Sequence, residues 1–242
     1  MRTASIDIGT NTVRLLICEE LSDGTLGTLY VDRIITRLGE GFSQDREQIT
    51  PNAISRTTSA LINFSETLKR YEVSKLRAVA TSAVRKSENA SEFLDKAKKE
   101  SGIEIEVISG DQEAELTVLG VLNSIRVTTD EYIIFDIGGG STEYVHILKD
   151  KIVNKKSINL GVVHLTEEYL SKDIETPKEI TQLTDIIKTI LEKELNDYKT
   201  KNKEFTLIGT AGTPTTLAAM ELRLKDYKPE LINNHKLSIN TV

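Results

Sequence analysis

Residues 135–143 are Phe-Asp-Ile-Gly-Gly-Gly-Ser-Thr-Glu, and this stretch decides the fold because it places an aspartate and three glycines at the end of an apolar run. Residues 6–12, Ile-Asp-Ile-Gly-Thr-Asn-Thr, follow the same plan near the N-terminus. Each stretch lies between two strand-like segments, which predicts a β-hairpin whose turn carries a carboxylate, glycine and hydroxyl groups. Glycine lets backbone N–H groups approach an anion, and aspartate can hold a divalent cation on that anion. The pair therefore indicates a phosphate chain bound between two turns, each opening its own domain.

Strand-like and helix-like segments follow each turn in a similar order. The apolar pattern predicts strands over residues 4–7, 13–18, 29–36, 76–80, 103–108, 132–136, 143–148, 151–158 and 206–209. It predicts helices over residues 51–71, 93–101, 110–123, 162–170, 177–195 and 214–222. Three antiparallel strands followed by helix and strand units occur twice, which predicts an internal structural duplication. Residues 126–131 are the predicted crossover between the halves, and residues 149–150 a predicted turn.

Several helix ends carry sequence signals. Thr50-Pro51 predicts an N-cap followed by proline at the first helical position. Thr176 and Glu179 predict a capping box, and Gly102 is expected to end the helix before it. Thr213-Pro214 is predicted to begin the last helix in the same way as Thr50-Pro51 does the first.

The bulk composition excludes several classes of protein. The 242 residues carry a formal net charge of −6, which argues against non-specific nucleic-acid binding because that binding depends on excess positive charge. No apolar run approaches the roughly 20 residues that span a bilayer, so we expect no membrane contact. The N-terminus shows no charged-then-apolar leader, and the single cysteine, Cys18, cannot form an internal disulfide. We therefore expect a cytoplasmic protein.

Common nucleotide and metal-site motifs are absent from the sequence. There is no GxxxxGK[ST], HExxH or GxSxG segment, and the three consecutive glycines do not fit GxGxxG. The three histidines, His146, His164 and His235, are far apart in the sequence, so we do not expect them to bind a metal ion.

Six segments together carry a family resemblance. They are residues 7–12 (Asp-Ile-Gly-Thr-Asn-Thr), 38–41 (Leu-Gly-Glu-Gly), 80–85 (Ala-Thr-Ser-Ala-Val-Arg), 109–114 (Ser-Gly-Asp-Gln-Glu-Ala), 136–143 (Asp-Ile-Gly-Gly-Gly-Ser-Thr-Glu) and 209–213 (Gly-Thr-Ala-Gly-Thr). This combination resembles the exopolyphosphatase/guanosine pentaphosphate phosphatase family, within the actin–Hsp70–sugar kinase superfamily. The two aspartate turns by themselves indicate only the superfamily, whereas the segments that contain Arg85 and Glu113 specify the family. The resemblance covers nearly the whole chain.

The resemblance implies a particular architecture. We expect an α/β fold with two ribonuclease H-like (actin-like ATPase) domains and an interdomain cleft. The first domain is expected to span residues 1–124 and the second residues 125–242. The second is expected to be incomplete at its C-terminus, because members of the family continue into further helices. A homodimer is a candidate assembly, since the family is often dimeric.

The resemblance also assigns roles to the loops. It implies that Asp7, Asp136 and Glu143 hold Mg²⁺. Glu143 lies two residues after Ser141, so the two side chains lie on the same face of one strand. The phosphate-binding residues that the resemblance implies are Thr10, Asn11, Thr12, Gly138, Gly139, Gly140, Ser141, Gly209, Thr210 and Gly212.

By the same resemblance, Glu113 is the catalytic carboxylate and Arg85 grips a phosphate oxyanion. Glu113 is expected in the first turn of a helix, where the helix dipole stabilises a negative charge. An ionised carboxylate there can orient a water molecule and take its proton. The planar fork of Arg85 suits a bidentate grip on phosphate. Neighbouring Glu115 is expected to be solvated or structural.

The implied function is Mg²⁺-dependent hydrolysis of the terminal phosphoanhydride bond of inorganic polyphosphate, with release of orthophosphate. Removal of the 5′-γ-phosphate of guanosine pentaphosphate is the alternative within the same chemistry. Two other classes stay open. One is a kinase in which ATP donates to a small acceptor and residues 209–213 bind the adenosine. The other is a phosphate or alarmone sensor without turnover.

Overall fold

The computed structural model describes residues 1–42, 47–125, 127–149, 151–170, 174–196, 198, 200 and 204–238. The chain divides into two compact units. Unit 1 contains residues 1–109 and 163–174, and unit 2 contains residues 110–162 and 175–242. Arg126 of the predicted crossover and Asp150 of the predicted turn lie outside the described residues.

The described elements follow one another along the chain. In order they are β1 (Arg2–Ile8), β2 (Thr12–Glu20), β3 (Leu26–Ile35), α1 (Pro51–Arg70), β4 (Lys75–Ala80), α2 (Ser82–Lys86), α3 (Ala90–Ser101), β5 (Ile105–Val107), α4 (Gly110–Ser124), β6 (Glu131–Ile137), β7 (Thr142–Leu148), β8 (Lys151–Ile158), α5 (Val162–Tyr169), α6 (Pro177–Leu195), β9 (Thr206–Thr210), α7 (Gly212–Glu221) and α8 (Pro229–Ile232). Every predicted strand is present, with ends that differ from the prediction by at most three residues.

Unit 1 is built on a five-stranded sheet with the strand order β3-β2-β1-β4-β5. The first three strands form an antiparallel meander, and β4 and β5 extend the sheet parallel to β1. Ile6 and Leu15 alternate with less buried neighbours along β1 and β2, and they share one apolar core with Phe64 of α1 and Phe93 of α3. Alternate strand positions therefore supply the side of the core that faces the helices.

Unit 2 is built on a four-stranded sheet with the strand order β8-β7-β6-β9. β6, β7 and β8 form an antiparallel meander, and β9 runs parallel to β6. Helix α4 packs on β7 and β8, where Ala114 and Val118 meet Ile134 and Val145 in the apolar core. Helix α7 packs on β9 and β6.

The two sheets share one topology, because β8-β7-β6-β9 repeats the order and the strand directions of β3-β2-β1-β4. The predicted α/β fold with two ribonuclease H-like halves is therefore confirmed, and so is the predicted duplication. The domain bounds at residues 124 and 125 and the interdomain cleft stay predictions.

Most predicted helix ends are confirmed. Thr50 caps α1 by accepting a hydrogen bond from the Ala53 N–H at 3.2 Å. Thr176 and Glu179 form the expected capping box of α6, and Gly102 ends α3 in the left-handed conformation with a φ of 72°.

The predicted start of the last long helix is wrong. Helix α7 begins at Gly212, and its N-cap is Ala211, whose φ is 67°. Pro214 consequently lies inside the first turn, where its missing N–H removes no intrahelical hydrogen bond. The helices α2 and α8 were not predicted, because five and four residues are too few to show a helical period.

Helix α6 contributes no fully buried residue, although its sequence is amphipathic.

No helix within the described part of the chain combines the length and apolar character needed to cross a membrane.

Replacement of Phe64 by Ala is expected to lower the free energy of unfolding of unit 1 by about 3–5 kcal/mol, because Phe64 is 1% exposed and its removal leaves a cavity. Urea denaturation followed by circular dichroism measures the change. The control is Leu26→Ala on β3, where the side chain is 63% exposed and the expected change is within about 0.5 kcal/mol. Equal effects in the two variants would contradict the assigned core.

Candidate active site

The first aspartate turn joins β1 to β2 and is held by main-chain hydrogen bonds. The Gly9 N–H donates to the Thr12 carbonyl at 2.9 Å. The carbonyls of Thr10 and Asn11 accept hydrogen bonds of 2.9 to 3.0 Å from N–H groups within residues 36–39. A carbonyl and the next N–H point in opposite directions in a trans peptide. The N–H groups of Asn11 and Thr12 therefore point away from residues 36–39, as an anion-binding turn requires.

The second aspartate turn joins β6 to β7 and has the same closing bond. The Gly138 N–H donates to the Ser141 carbonyl at 2.9 Å. The Gly138 carbonyl accepts a hydrogen bond from the Val162 N–H at 3.0 Å, so the Gly139 N–H points in the opposite direction. Unit 2 therefore repeats the closing hydrogen bond of the first turn, whereas the carbonyl that binds the outer segment lies one position earlier in the turn.

Two further glycines lie directly against these turns. A Cβ at Gly161 would lie 2.3 Å from both the Gly139 carbonyl oxygen and the Gly140 Cα. A Cβ at Gly39 would lie 2.3 Å from the Cγ2 of Thr10. Both distances are far inside van der Waals contact. The segment that follows β3 therefore supports the first turn, and the segment that follows β8 supports the second.

Unit 2 carries a row of polar side chains at the mouth of its turn. Asp136 of β6 pairs in register with Thr210 of β9 and Glu143 of β7, and Glu143 pairs with Ser157 of β8. Residues paired in register share a face of the sheet. The Ser157 hydroxyl donates to Glu143 Oε1 at 2.8 Å, and Glu143 is only 2% exposed. Two of the three predicted metal ligands are therefore neighbours.

Unit 1 carries opposite charges in the corresponding row. Asp7 of β1 pairs with Arg14 of β2, and Arg14 pairs with Arg33 of β3. Burial raises the pKa of Asp7 above its ordinary value, and the positive charge of Arg14 opposes part of that rise. Arg14 was not predicted as a site residue, because the strand register that places it opposite Asp7 is a tertiary feature.

Glu113 and Glu115 lie on opposite sides of α4. Ala114 between them is 1% exposed and packs in the core, and successive residues of a helix are about 100° apart. Glu115 lies towards β8, where it pairs with Lys155 at 2.6 Å. Glu113 therefore lies on the other side.

One turn after Glu113, Thr117 donates to Asp136 Oδ2 at 3.4 Å. Residues four apart are neighbours on one face of a helix. Glu113 therefore lies about one helical turn, roughly 6 Å along the axis, from a residue that contacts Asp136.

The first turn of α4 is fastened to β8 by Lys155. Its ammonium group lies 2.6 Å from Glu115 and 3.4 Å from Asp111. The hydrogen bond with Glu115 raises the pKa of Lys155, which therefore stays charged. Glu115 is both ion-paired and 54% exposed, which agrees with the prediction that it is solvated or structural.

Arg85 lies within the short helix α2. Its Nη1 donates to the Ile108 carbonyl at 2.9 Å, which anchors the half-buried guanidinium group in unit 1. A role for Arg85 on phosphate stays a prediction.

The first glycine of the segment before α7, Gly209, is required by close packing. A Cβ at Gly209 would lie 2.8 Å from Pro214 and 3.0 Å from the ring of Phe135. Gly209 thus lets α7 pack against β6. Thr210 lies opposite Asp136 in register, and Gly212 is exposed at the start of α7. Phosphate binding by these three residues stays a prediction.

The donor set of unit 2 suits Mg²⁺. Asp136 and Glu143 offer hard carboxylate oxygens from neighbouring strands. Among the described residues, no group of three or more His, Cys, Asp and Glu side chains is placed to hold a metal ion. Mg²⁺ is usually bound through one or two carboxylates, with water and substrate phosphate as the other ligands, so this pair fits.

A family model decides the assignment of the chain. The model of the Ppx/GppA phosphatase family matches residues 17–239. The chain belongs to the Ppx/GppA phosphatase family. The predicted family is thereby confirmed.

Three curated relatives of this Ppx/GppA chain differ in length. "Bifunctional 3-dehydroquinate synthase/phosphatase" of Fusobacterium nucleatum is 37% identical over 97% of the chain, which covers 36% of that protein. "Exopolyphosphatase 2" of Mycobacterium tuberculosis is 33% identical over 96% of the chain, which covers 74% of it. "Guanosine-5'-triphosphate,3'-diphosphate pyrophosphatase" of Photobacterium profundum is 30% identical over 97% of the chain, which covers 46% of it. The chain thus spans about a third of the first relative and less than half of the last.

Two crystal structures of Ppx/GppA relatives share the fold. An exopolyphosphatase from Cytophaga hutchinsonii superposes with a TM-score of 0.83 at 32% identity, over 95% of this chain and 73% of that one. The family member from Aquifex aeolicus superposes with a TM-score of 0.77 at 35% identity, over 100% of this chain and 76% of that one.

The sequence-predicted site residues divide between the two units. Unit 1 holds Asp7, Thr10, Asn11, Thr12 and Arg85. Unit 2 holds Glu113, Asp136, Gly138, Gly139, Gly140, Ser141, Glu143, Gly209, Thr210 and Gly212. The sequence did not predict the supporting residues Gly161, Ser157, Lys155 and Thr117, since no motif marks them.

Replacement of Gly161 by Ala is expected to lower kcat/KM for phosphate release by roughly 10- to 100-fold, because the added Cβ must displace the turn at Gly139 by about 1 Å. Gly120→Ala is the matched control, since nothing lies within 4 Å of its added Cβ. Steady-state kinetics of both variants measures the effect. A Gly161 variant as active as the control would show that this contact does not position the turn.

Replacement of Asp7 by Asn is expected to stabilise unit 1 at neutral pH. The folded-state pKa of Asp7 is raised, so its ionised form destabilises the folded state as pH rises through that pKa. The gain should shrink as pH falls through the raised folded-state pKa, and it should vanish below the ordinary aspartate pKa of about 4. Urea denaturation in EDTA at several pH values measures it, with exposed Asp95→Asn as the control. A constant or negative gain would contradict the assignment.

Proposed function

We propose that the chain hydrolyses the terminal phosphoanhydride bond of inorganic polyphosphate and releases orthophosphate. One arrangement carries this proposal. The second turn, whose Gly139 N–H points away from Val162, lies beside two carboxylates, Asp136 and Glu143. Thr117 brings the Glu113 side of α4 to the same Asp136. Family membership and the exopolyphosphatase relative add support.

In the proposed mechanism, Glu113 accepts a proton from a water molecule whose oxygen attacks the terminal phosphorus. The bond between that phosphorus and the bridging oxygen breaks, and the bridging oxygen leaves with the electron pair as a phosphate oxyanion. The products are orthophosphate and a chain that is one phosphate shorter. The N–H groups of the second turn offset the charge of the transferring group, since phosphoryl transfer depends mainly on positioning and charge stabilisation. Arg85 and the first turn keep the phosphate-binding roles that the family resemblance predicts.

Asp136 and Glu143 are the residues that would hold Mg²⁺, with Asp7 as the third predicted ligand. When bound, Mg²⁺ would neutralise negative charge on the terminal phosphates. The difference between the two rows favours unit 2 as the principal cation site. There the aspartate is paired with a carboxylate, whereas Asp7 is paired with an arginine.

Guanosine pentaphosphate is the second candidate substrate. The Photobacterium profundum relative is named for a compound of this class. The terminal 5′-phosphate of guanosine pentaphosphate is also joined by a phosphoanhydride bond, so the same residues would act on that bond.

The kcat of the Glu113→Gln variant is expected to be roughly 10²- to 10⁴-fold lower, because the amide cannot take the proton of water. Substrate binding is expected to be kept. Orthophosphate release is measured with Mg²⁺ on long-chain polyphosphate and guanosine pentaphosphate in parallel. Glu192→Gln, an exposed glutamate on α6, is the control and should retain full activity.

The alternative outcomes separate the other function classes. Full activity of Glu113→Gln would remove Glu113 from its role. Tight substrate binding by the folded protein without phosphate release, even at high Mg²⁺, would favour a sensor. ATP consumption that depends on an added acceptor would favour a kinase.

A further inference from the structure

The proposed metal ligand Glu143 has an unusual environment for a charged group. It is 2% exposed, and it lies in the central strand pair of the unit 2 sheet opposite Asp136. A buried carboxylate is costly unless hydrogen bonds satisfy its oxygens. Two carboxylates in register also repel each other. Something must therefore hold Glu143 in this position.

Ser157 supplies a hydrogen bond to this carboxylate from the edge strand. It pairs in register with Glu143, and its hydroxyl donates to Glu143 Oε1 at 2.8 Å. This is a normal length for a hydroxyl–carboxylate hydrogen bond. A hydroxyl has one hydrogen to donate, so the bond to Glu143 uses the donor capacity of Ser157.

The chemistry of this donor matters for a cation site. A hydroxyl orients a carboxylate without cancelling its charge, whereas an arginine or lysine would offset it. Unit 1 shows the contrast, because the positions that correspond to Glu143 and Ser157 are Arg14 and Arg33. The row in unit 2 thus keeps a negative charge beside Asp136, and the row in unit 1 does not.

We propose that Ser157 is a positioning residue for the metal site, holding Glu143 in the orientation in which its carboxylate binds a divalent cation. This inference rests on the proposed function through the metal role of Glu143. Partners that orient metal ligands commonly contribute 10- to 100-fold to metal affinity, and Ser157 stands in that relation to Glu143.

Direct metal binding tests the inference. Mn²⁺ replaces Mg²⁺ as a probe, and electron paramagnetic resonance of free Mn²⁺ gives its Kd for the full chain without substrate. Ser157→Ala is expected to raise this Kd by about 10- to 100-fold. Ser157→Thr, which keeps the hydroxyl, is expected to restore binding close to that of the unsubstituted protein. Ser124→Ala, which removes an exposed hydroxyl bonded within α4, is the matched control.

A second substitution keeps the test decisive if Ser157→Ala does not fold. Ser157→Cys keeps the shape of the side chain but is a weak donor, so it should bind Mn²⁺ more weakly than the unsubstituted protein does. Unchanged Kd values in the Ala or Cys variants would overturn the inference. Failure of Thr to restore binding would also overturn it, since packing and not the hydroxyl would then be responsible.

Phosphate release separates this inference from the proposed function. The concentration of Mg²⁺ that gives half-maximal release should rise in the Ala variant in parallel with the Mn²⁺ Kd. Metal binding that depends on Ser157 in a chain without hydrolysis would support the inference and contradict the proposed function. Hydrolysis with unchanged metal affinity in the variants would support the proposed function and contradict the inference. Absence of Mn²⁺ binding by the unsubstituted chain would overturn the inference.

Discussion

The hydrogen bond from a glycine N–H to the carbonyl three residues later is the interaction on which the rest of each unit depends. It closes the turn from Gly9 to Thr12 in unit 1 and from Gly138 to Ser141 in unit 2, at 2.9 Å in both. Because it reverses the chain two residues after an aspartate, it leaves that carboxylate at the penultimate position of the first strand and sets the register of the hairpin. That register in turn decides which residues stand beside the aspartate.

The two turns carry different rows of charge because the register partners of their aspartates differ. In unit 2 the partner of Asp136 is Glu143, which is supported by a neutral hydroxyl, and the row can attract a cation. In unit 1 the partner of Asp7 is Arg14, and the row is offset by positive charge. A duplicated backbone therefore carries rows of different charge in its two units.

Much of the fold could be predicted because its signals are local. Alternating apolar residues predicted the strands, and Thr50, Thr176 and Gly102 marked helix ends through bonds that reach only three or four residues. The prediction that Thr213 is the N-cap of α7 was wrong for a physical reason. Threonine is a common N-cap, but here the loop before α7 turns earlier, at Ala211, and Gly209 makes room for Pro214. Packing against β6 overrode the local preference.

The sequence by itself determined the two turns, their aspartates and the duplication, because glycine and apolar periodicity act over a few residues. Only the tertiary structure decided which side chains support them. Gly161 lies against Gly139, Lys155 fastens the first turn of α4, and Ser157 holds Glu143. These contacts join residues 14 to 40 positions apart or lie across strands. They depend on strand register and close packing, which no local pattern encodes.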